Sequence, residues 1–212
     1  MRLLVVSGGD HPYEVTTPML ESFCRGAGHE VTVTEDATVL ASGGMSNYDV
    51  LVFNTLRQDE TNLTGAERTG MTRFVEGGKG FVCIHAGTWL TPEWPEYHDV
   101  TGGGWDVEVS WHAPYAQFSV ELTDPDHPVT IGISGFVTKD ELYTKIGWRE
   151  GNEVFIAADH DGEAQPMAWT RRFGRGRVFT TTLGHDRASF EPPQFQRMLL
   201  NGIDWVGGGG RR

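Results

Sequence analysis

Gly80-Phe81-Val82-Cys83-Ile84-His85-Ala86-Gly87-Thr88 is the stretch on which the fold of this chain turns. A short apolar run bounded by glycine reads as a strand buried on both faces, the kind found in parallel sheets covered by helices. The run empties into His85, a small residue and Gly87. The Ala86-Gly87 pair permits a sharp exit, because glycine tolerates positive φ and close backbone approach. A side chain at such a turn stands at the carboxyl end of its strand, the edge where open α/β sheets take their ligands. In a nucleophile elbow it would be a serine or cysteine. Here it is an imidazole.

The flanking segments extend the pattern in both directions. Upstream, Leu3–Ser7 reads as a buried strand running into Gly8-Gly9-Asp10-His11-Pro12, followed by a helix over Val15–Gly26. Glu30–Thr34 and Val50–Phe53 read as two more strands, and Thr64 with Glu67 forms a capping-box signature for a helix ending near Glu76. Downstream, Gln117–Leu122, Val154–Ala158, Met167–Thr170 and Arg177–Thr182 read as strands, with a hairpin over Arg172–Arg177. A final helix spans Pro193–Val206 with an apolar stripe of Phe195, Met198, Leu199 and Ile203. The expected architecture is α/β in three layers, a mostly parallel sheet with helices on both faces, as one domain over 1–206. Residues 207–212, glycines and arginines, read as a flexible tail.

One stretch breaks the pattern. Between Trp89 and Trp111 lie Trp89, Trp94, Trp105 and Trp111, four of the chain's 7 tryptophans, with Pro92, Pro95 and His98. An irregular aromatic loop beside a ligand-binding edge is expected to form a lid or substrate wall. Indole faces stack on the apolar faces of sugar rings, which suits a carbohydrate ligand.

Bulk properties narrow the function classes. The net charge is −12 over 212 residues, which argues against nucleic acid or an anionic membrane surface as a partner. Cys24 and Cys83 are the only cysteines, giving no disulfide framework and pointing to a reducing, cytoplasmic setting. No apolar run has the length of a signal segment or membrane span. Gly8-Gly9 is not a dinucleotide fingerprint and no P-loop lysine is present, so no nucleotide cofactor is expected.

His11, His85 and His185 each follow a predicted core strand. If those strands run parallel, the three imidazoles share one edge, and Glu141 and His112 can reach it from intervening loops. Such a set suits zinc, manganese or iron, with His11, His85 and His185 as ligands. It equally suits metal-free acid–base chemistry, since histidine titrates near neutrality. His85, Glu141 and His185 are therefore the candidate catalytic residues; His11, Trp105, Trp111, His112, Tyr143 and Asp186 are candidates for holding substrate. His127 reads as a turn residue, His29 as structural, and His98 and His160 as surface residues. Asp140-Glu141 also has the bland reading of a solvated acidic pair.

Taken together, Gly80–Gly87, Asp126-His127-Pro128-Val129 with Asp140-Glu141-Leu142-Tyr143, and Pro166–Thr170 running through Gly174–Asp186 resemble the ThuA-like (trehalose utilisation) family. The resemblance implies a flavodoxin-like, class I glutamine amidotransferase-like fold. Ile84-His85-Ala86-Gly87 is similar to the amidotransferase elbow Ile-Cys-x-Gly, and Leu183-Gly184-His185-Asp186 to the strand end carrying that family's histidine and acid. The departure decides the mechanism: without a thiol at position 85, glutamine hydrolysis through a thioester is closed, and Cys83 is expected to point back into the sheet. The resemblance implies a role in sugar catabolism, alongside dehydrogenases that oxidise disaccharides to keto-sugars. The expected activity is isomerisation, elimination or hydrolysis of a sugar or keto-sugar, with Glu141 or His185 as general base. Two alternatives are a non-catalytic sugar-binding or regulatory module, and an interaction subunit that uses the aromatic loop. Self-association is compatible with either.

Overall fold

The computed structural model describes residues 1–89, 91 and 93–208. Nine strands form one sheet: β1 (Arg2–Gly8), β2 (Glu30–Thr34), β3 (Val50–Thr55), β4 (Gly80–Ile84), β5 (Ala116–Leu122), β6 (Phe136–Asp140), β7 (Glu153–His160), β8 (Glu163–Phe173) and β9 (Gly176–Thr181). Their spatial order is β2-β1-β3-β4-β9-β8-β7-β5-β6. The pairings from β2 to β9 are parallel. Those from β9 to β6 are antiparallel. The expected parallel sheet is thus present as five strands, and four antiparallel strands extend it. The reason lies in the connections: β8 passes to β9 through Gly174-Arg175 alone, too short for a parallel crossover.

Burial follows the same division. Every residue of β3 and β4 is buried, whereas β6 alternates buried and exposed from Phe136 to Asp140. Alternation along β1 sends Leu3 and Val5 to one face and Leu4 and Val6 to the other. The first face packs on α1 (Tyr13–Gly26) and α5 (Pro193–Val206) through Leu20, Phe195, Met198 and Ile203. The second packs on α2 (Gly65–Glu76) through Met71, Phe74 and Val75 and on α3 (Tyr97–Thr101) through Tyr97 and Val100. Each fully buried aliphatic or aromatic side chain contributes roughly 1.5–3 kcal/mol.

The local signals hold at the helix ends. The Glu67 amide donates to Thr64 Oγ1 (3.4 Å) and the Thr64 amide donates to Glu67 Oε2 (2.7 Å), closing the capping box. The last helix spans Pro193–Val206 as the apolar stripe requires, and Gly207 ends it by donating to the Ile203 carbonyl. Of the tail, 209–212 lie outside the described residues, as do Leu90 and Pro92 of the aromatic loop.

The aromatic stretch is more ordered than an irregular loop. After α3, Gly103–Gly104 pairs with Gly147–Trp148, and Trp111–His112 pairs with Tyr143–Thr144. A side chain at Gly104 (φ +146) would lie 2.3 Å from Thr88 Cβ, so glycine alone lets this segment lie against the turn that follows β4. His98, expected on the surface, is 1% exposed; its Nε2 donates to the Thr88 carbonyl (3.1 Å). It fastens α3 to the same turn. No helix among the described residues is long and apolar enough to cross a membrane.

Candidate active site

β4 ends in a 3-10 turn, His85–Thr88, whose first residue has φ +50. A left-handed imidazole-bearing residue costs of order 1–3 kcal/mol and persists where its surroundings over-determine it. Here Thr88 Oγ1 donates to the His85 carbonyl (2.7 Å), and His85 Nδ1 lies 2.7 Å from the Thr182 carbonyl. A carbonyl only accepts, so Nδ1 carries the proton. The lone pair of Nε2 is therefore turned to the other side of the ring. There it meets His185 Nδ1 at 3.2 Å, Tyr143 Oη at 3.1 Å and Glu141 Oε2 at 3.4 Å. Donating the second ring nitrogen to a backbone carbonyl is how metal-ligating histidines are oriented.

The chain returns past His85 at Gly184, whose φ is +124; a Cβ there would sit 2.7 Å from Ile84 Cγ2. This close passage puts His185 beside His85, with Glu141 Oε2 also 3.4 Å from His185 Nδ1. His11, from the end of β1, completes the group, its ring centroid 5.3 Å from His85 and 5.0 Å from His185. His11, His85, Glu141 and His185 each offer one donor atom, and these lie within 4.8 Å of one another. Ligands around a tetrahedral zinc stand about 3.3 Å apart, given bond lengths near 2.0–2.1 Å. The separations among His85, His185 and Glu141 match that spacing. His11 Nδ1 is buried and has no hydrogen-bond partner among the described residues, a condition a ligand would relieve. The donor set fits a borderline divalent cation.

The electrostatics follow from this crowding. Burial, then the neighbouring His85 and His185, hold His11 down to about 4, so it is neutral at pH 7. Burial alone would raise Glu141, but the hydrogen bond from His185 and the imidazoles crowded against it outweigh burial and bring the carboxyl well below its usual range. His185 is raised, chiefly by its bond to Glu141.

A residue passed over in the sequence holds these pieces in register. Asp140 is fully buried, and its carboxylate accepts from the amides of Gly184 (2.7 Å), Glu141 (2.8 Å) and His185 (3.3 Å). One side chain thus fastens the segment carrying Glu141 to the segment carrying His185. Burial pushes its carboxyl upward. The signal was the alternation Phe136-Thr138-Asp140, which places Asp140 on the inner face of β6. Tyr115 was also passed over: its ring lies 5.3 Å from His185 and its hydroxyl donates to Asp186 Oδ2.

The remaining candidates divide. Tyr143 reaches His85, and His112 Nε2 lies 3.8 Å from Glu141 Oε1. Trp105 packs edge-on to Tyr143 (4.8 Å) and stacks beside Trp89 (6.0 Å, 6°). Asp186 accepts from the Ala188 and Ser189 amides at the start of α4 (Arg187–Phe190) and stands behind His185. The structure does not bring Trp111 to the cluster: it is 43% exposed, packs on His160 and lines a separate surface groove. The cause is the two-residue pairing with Tyr143–Thr144, where alternation sends Trp111 and His112 to opposite sides. Cys83 is buried on the α2 face with Sγ 3.4 Å from Tyr97 Oη, and burial pushes its thiol up to about 12.

These features define a mixed α/β protein with a large central sheet and a histidine–glutamate site at the carboxyl edge of its parallel strands. The chain belongs to the ThuA family, described as trehalose utilisation, whose model matches residues 2–206. That membership supports a role related to trehalose utilisation. Among solved structures, a ThuA-like protein from Parabacteroides merdae ATCC 43184 is similar at 21% identity and TM-score 0.85, covering 99% of this chain and 90% of that one. A ThuA-like protein from Bacteroides uniformis ATCC 8492 is similar at 20% identity and TM-score 0.78, covering 97% and 91%. A cytoplasmic protein from Salmonella typhimurium is similar at 15% identity and TM-score 0.70, covering 97% and 99%. At these identities the likeness is one of fold. Among curated proteins, none matches the chain in sequence.

Proposed function

We propose that this protein is an enzyme acting on a sugar or keto-sugar, with His11, His85 and His185 holding a divalent cation and Glu141 moving a proton. The observation that carries the reading is His85: Nδ1 bonds the Thr182 carbonyl while Nε2 faces the donor atoms of His185 and Glu141. Three protein ligands leave a position for water or substrate, the arrangement of catalytic rather than structural zinc sites. A cation there would polarise a carbonyl oxygen and stabilise an enolate. Glu141 then removes a proton α to that carbonyl, or from water, and His112 beside its other oxygen passes the proton on. Tyr143 and Trp105 form the wall against which a sugar ring rests. Isomerisation, elimination and hydrolysis all begin from such a proton transfer.

The same reading takes the fold as three-layered, flavodoxin-like and related to class I glutamine amidotransferases. It is supported by the order β2-β1-β3-β4-β9, which is the 2-1-3-4-5 order of that class. A cytoplasmic location is supported by two buried, unpaired cysteines and by the Salmonella relative's description. The test is incubation with a keto-derivative of trehalose in deuterated water. The wild type is expected to wash deuterium into the position α to the ketone or to release product. Glu141→Gln is expected to lose about 10²–10⁴-fold in rate while retaining the sugar. Sugar binding without exchange or product in the wild type would overturn the reading in favour of a binding module.

A further inference from the structure

Glu141 and Tyr143 leave the same short segment, with one residue between them, and converge on one atom. Glu141 Oε2 lies 3.4 Å and Tyr143 Oη 3.1 Å from His85 Nε2. The segment is fixed at both ends: Asp140 accepts from the Gly184 and His185 amides, and Tyr143–Thr144 pairs with Trp111–His112. The Tyr143 ring is packed 4.8 Å from that of His85 and 4.8 Å from that of Trp105, which holds its hydroxyl where it stands. His85 settles the direction of the hydrogen bond. Its Nδ1 proton goes to the Thr182 carbonyl, so Nε2 accepts and the Tyr143 hydroxyl donates. Nε2 has one lone pair. When that lone pair is used to hold a cation, the Tyr143 proton is left without its acceptor. Among the described residues the hydroxyl bonds to nothing else.

We infer that Tyr143 is a catalytic hydrogen-bond donor to the carbonyl oxygen of a keto-sugar, the electrophilic counterpart of the base Glu141. The inference rests on the proposed function and adds the side chain that meets the charge as it develops. The step balances. The C–H bond α to the ketone breaks, its proton passes to the Glu141 carboxylate, and its electron pair becomes a C=C bond. The carbonyl π pair settles on the oxygen, to which the Tyr143 O–H donates, and nothing is oxidised or reduced. A ketone carries its oxygen and its α hydrogen on adjacent carbons, so a base and a donor that flank one point match it. Fixed donors act most strongly on developing charge where water is excluded, and Tyr143 and His85 are 4% and 2% exposed. A tyrosine hydroxyl at the oxygen with a carboxylate base at the carbon is a known division of labour in ketone enolisation. The rival role, holding His85 in place, is already filled: Thr182 accepts from its ring and Thr88 donates to its carbonyl.

The experiment compares wild type with Tyr143→Phe, which removes only the hydroxyl and keeps the packed ring; thermal melts check that both are folded. Zinc affinity of the metal-free proteins is measured by competition with a chromophoric chelator. Deuterium exchange into a keto-derivative of trehalose is then followed by NMR with the zinc-loaded proteins. With the competitor for the Nε2 lone pair gone, zinc is expected to bind as tightly as in wild type or up to about tenfold more tightly. Exchange is expected to fall about 10²–10³-fold in kcat, with KM within about threefold. Exchange at the wild-type rate in zinc-loaded Tyr143→Phe would overturn the inference while leaving Glu141 and the metal site standing. Weaker zinc binding in Tyr143→Phe, with exchange restored by excess zinc, would overturn it in favour of a structural role beside His85. Absence of both exchange and product in the wild type would overturn the proposed function and this inference with it.

Discussion

The two halves of the sheet contribute to one site in different ways. The parallel half delivers three histidines by topology: β4 and β9 are neighbours, β1 lies one strand away across β3, and His11, His85 and His185 follow their carboxyl ends. The antiparallel half delivers Glu141 by an individual contact, because β6 is the far edge strand and the chain must turn back to reach the histidines. What makes it reach is Asp140, fastened to the Gly184 and His185 amides. Position from topology is robust, since it follows from a buried apolar framework. Position from one polar contact is fragile, since it depends on a single carboxylate.

Substitutions in each half test that asymmetry. The largest effect is expected from Asp140→Ala, which strands the buried Gly184 amide and the half-buried amides of Glu141 and His185; an unpaired buried donor costs about 1–3 kcal/mol. We expect a loss of several kcal/mol by denaturant unfolding, with activity falling by more than the unfolded fraction explains. A stable, fully active variant would break the comparison. Gly184→Ala is next: its φ of +124 and the 2.7 Å approach to Ile84 predict a loss of about 2–4 kcal/mol, read from the same unfolding curves. Within the parallel half, Cys83→Ala should cost only about 1 kcal/mol, as a small buried deletion, and leave turnover within about twofold. A large loss of turnover with the fold intact would restore the thiol to the mechanism.

The smallest effect is a pH dependence away from the site. His98 is lowered mainly by burial, below its ordinary 6.5. The unfolded chain then binds more protons than the folded one below about 6.5, so stability is full above that pH and falls as the solution is acidified. A plot of melting temperature against pH from 7.5 to 5 should slope less steeply in His98→Gln than in wild type. Equal slopes would contradict it.

What the sequence disclosed follows the same division. Strands such as Val50–Thr55 and Gly80–Ile84 are legible because burial on both faces demands unbroken apolar runs, and Thr64 with Glu67 is legible because capping is local. The grouping of His11, His85 and His185 followed from assuming parallel strands. Asp140 was not legible as a buried anchor, because the two amides it fastens across the fold lie 44 and 45 residues away. Trp111 looked like a substrate contact until its pairing with Thr144 set which side it faces, and such pairing depends on register rather than composition. His98 looked like a surface residue because nothing local announces that α3 folds onto the turn after β4.

The central claim is that the three histidines hold a metal ion. The direct test is elemental analysis of protein purified without an affinity tag, repeated on His85→Ala and on Cys83→Ala as a folded control. The account predicts about one equivalent of zinc, manganese or iron per chain in wild type and in Cys83→Ala, and loss of it in His85→Ala. Metal-free wild-type protein that gains none on incubation with these ions, yet turns over keto-sugar, would contradict it.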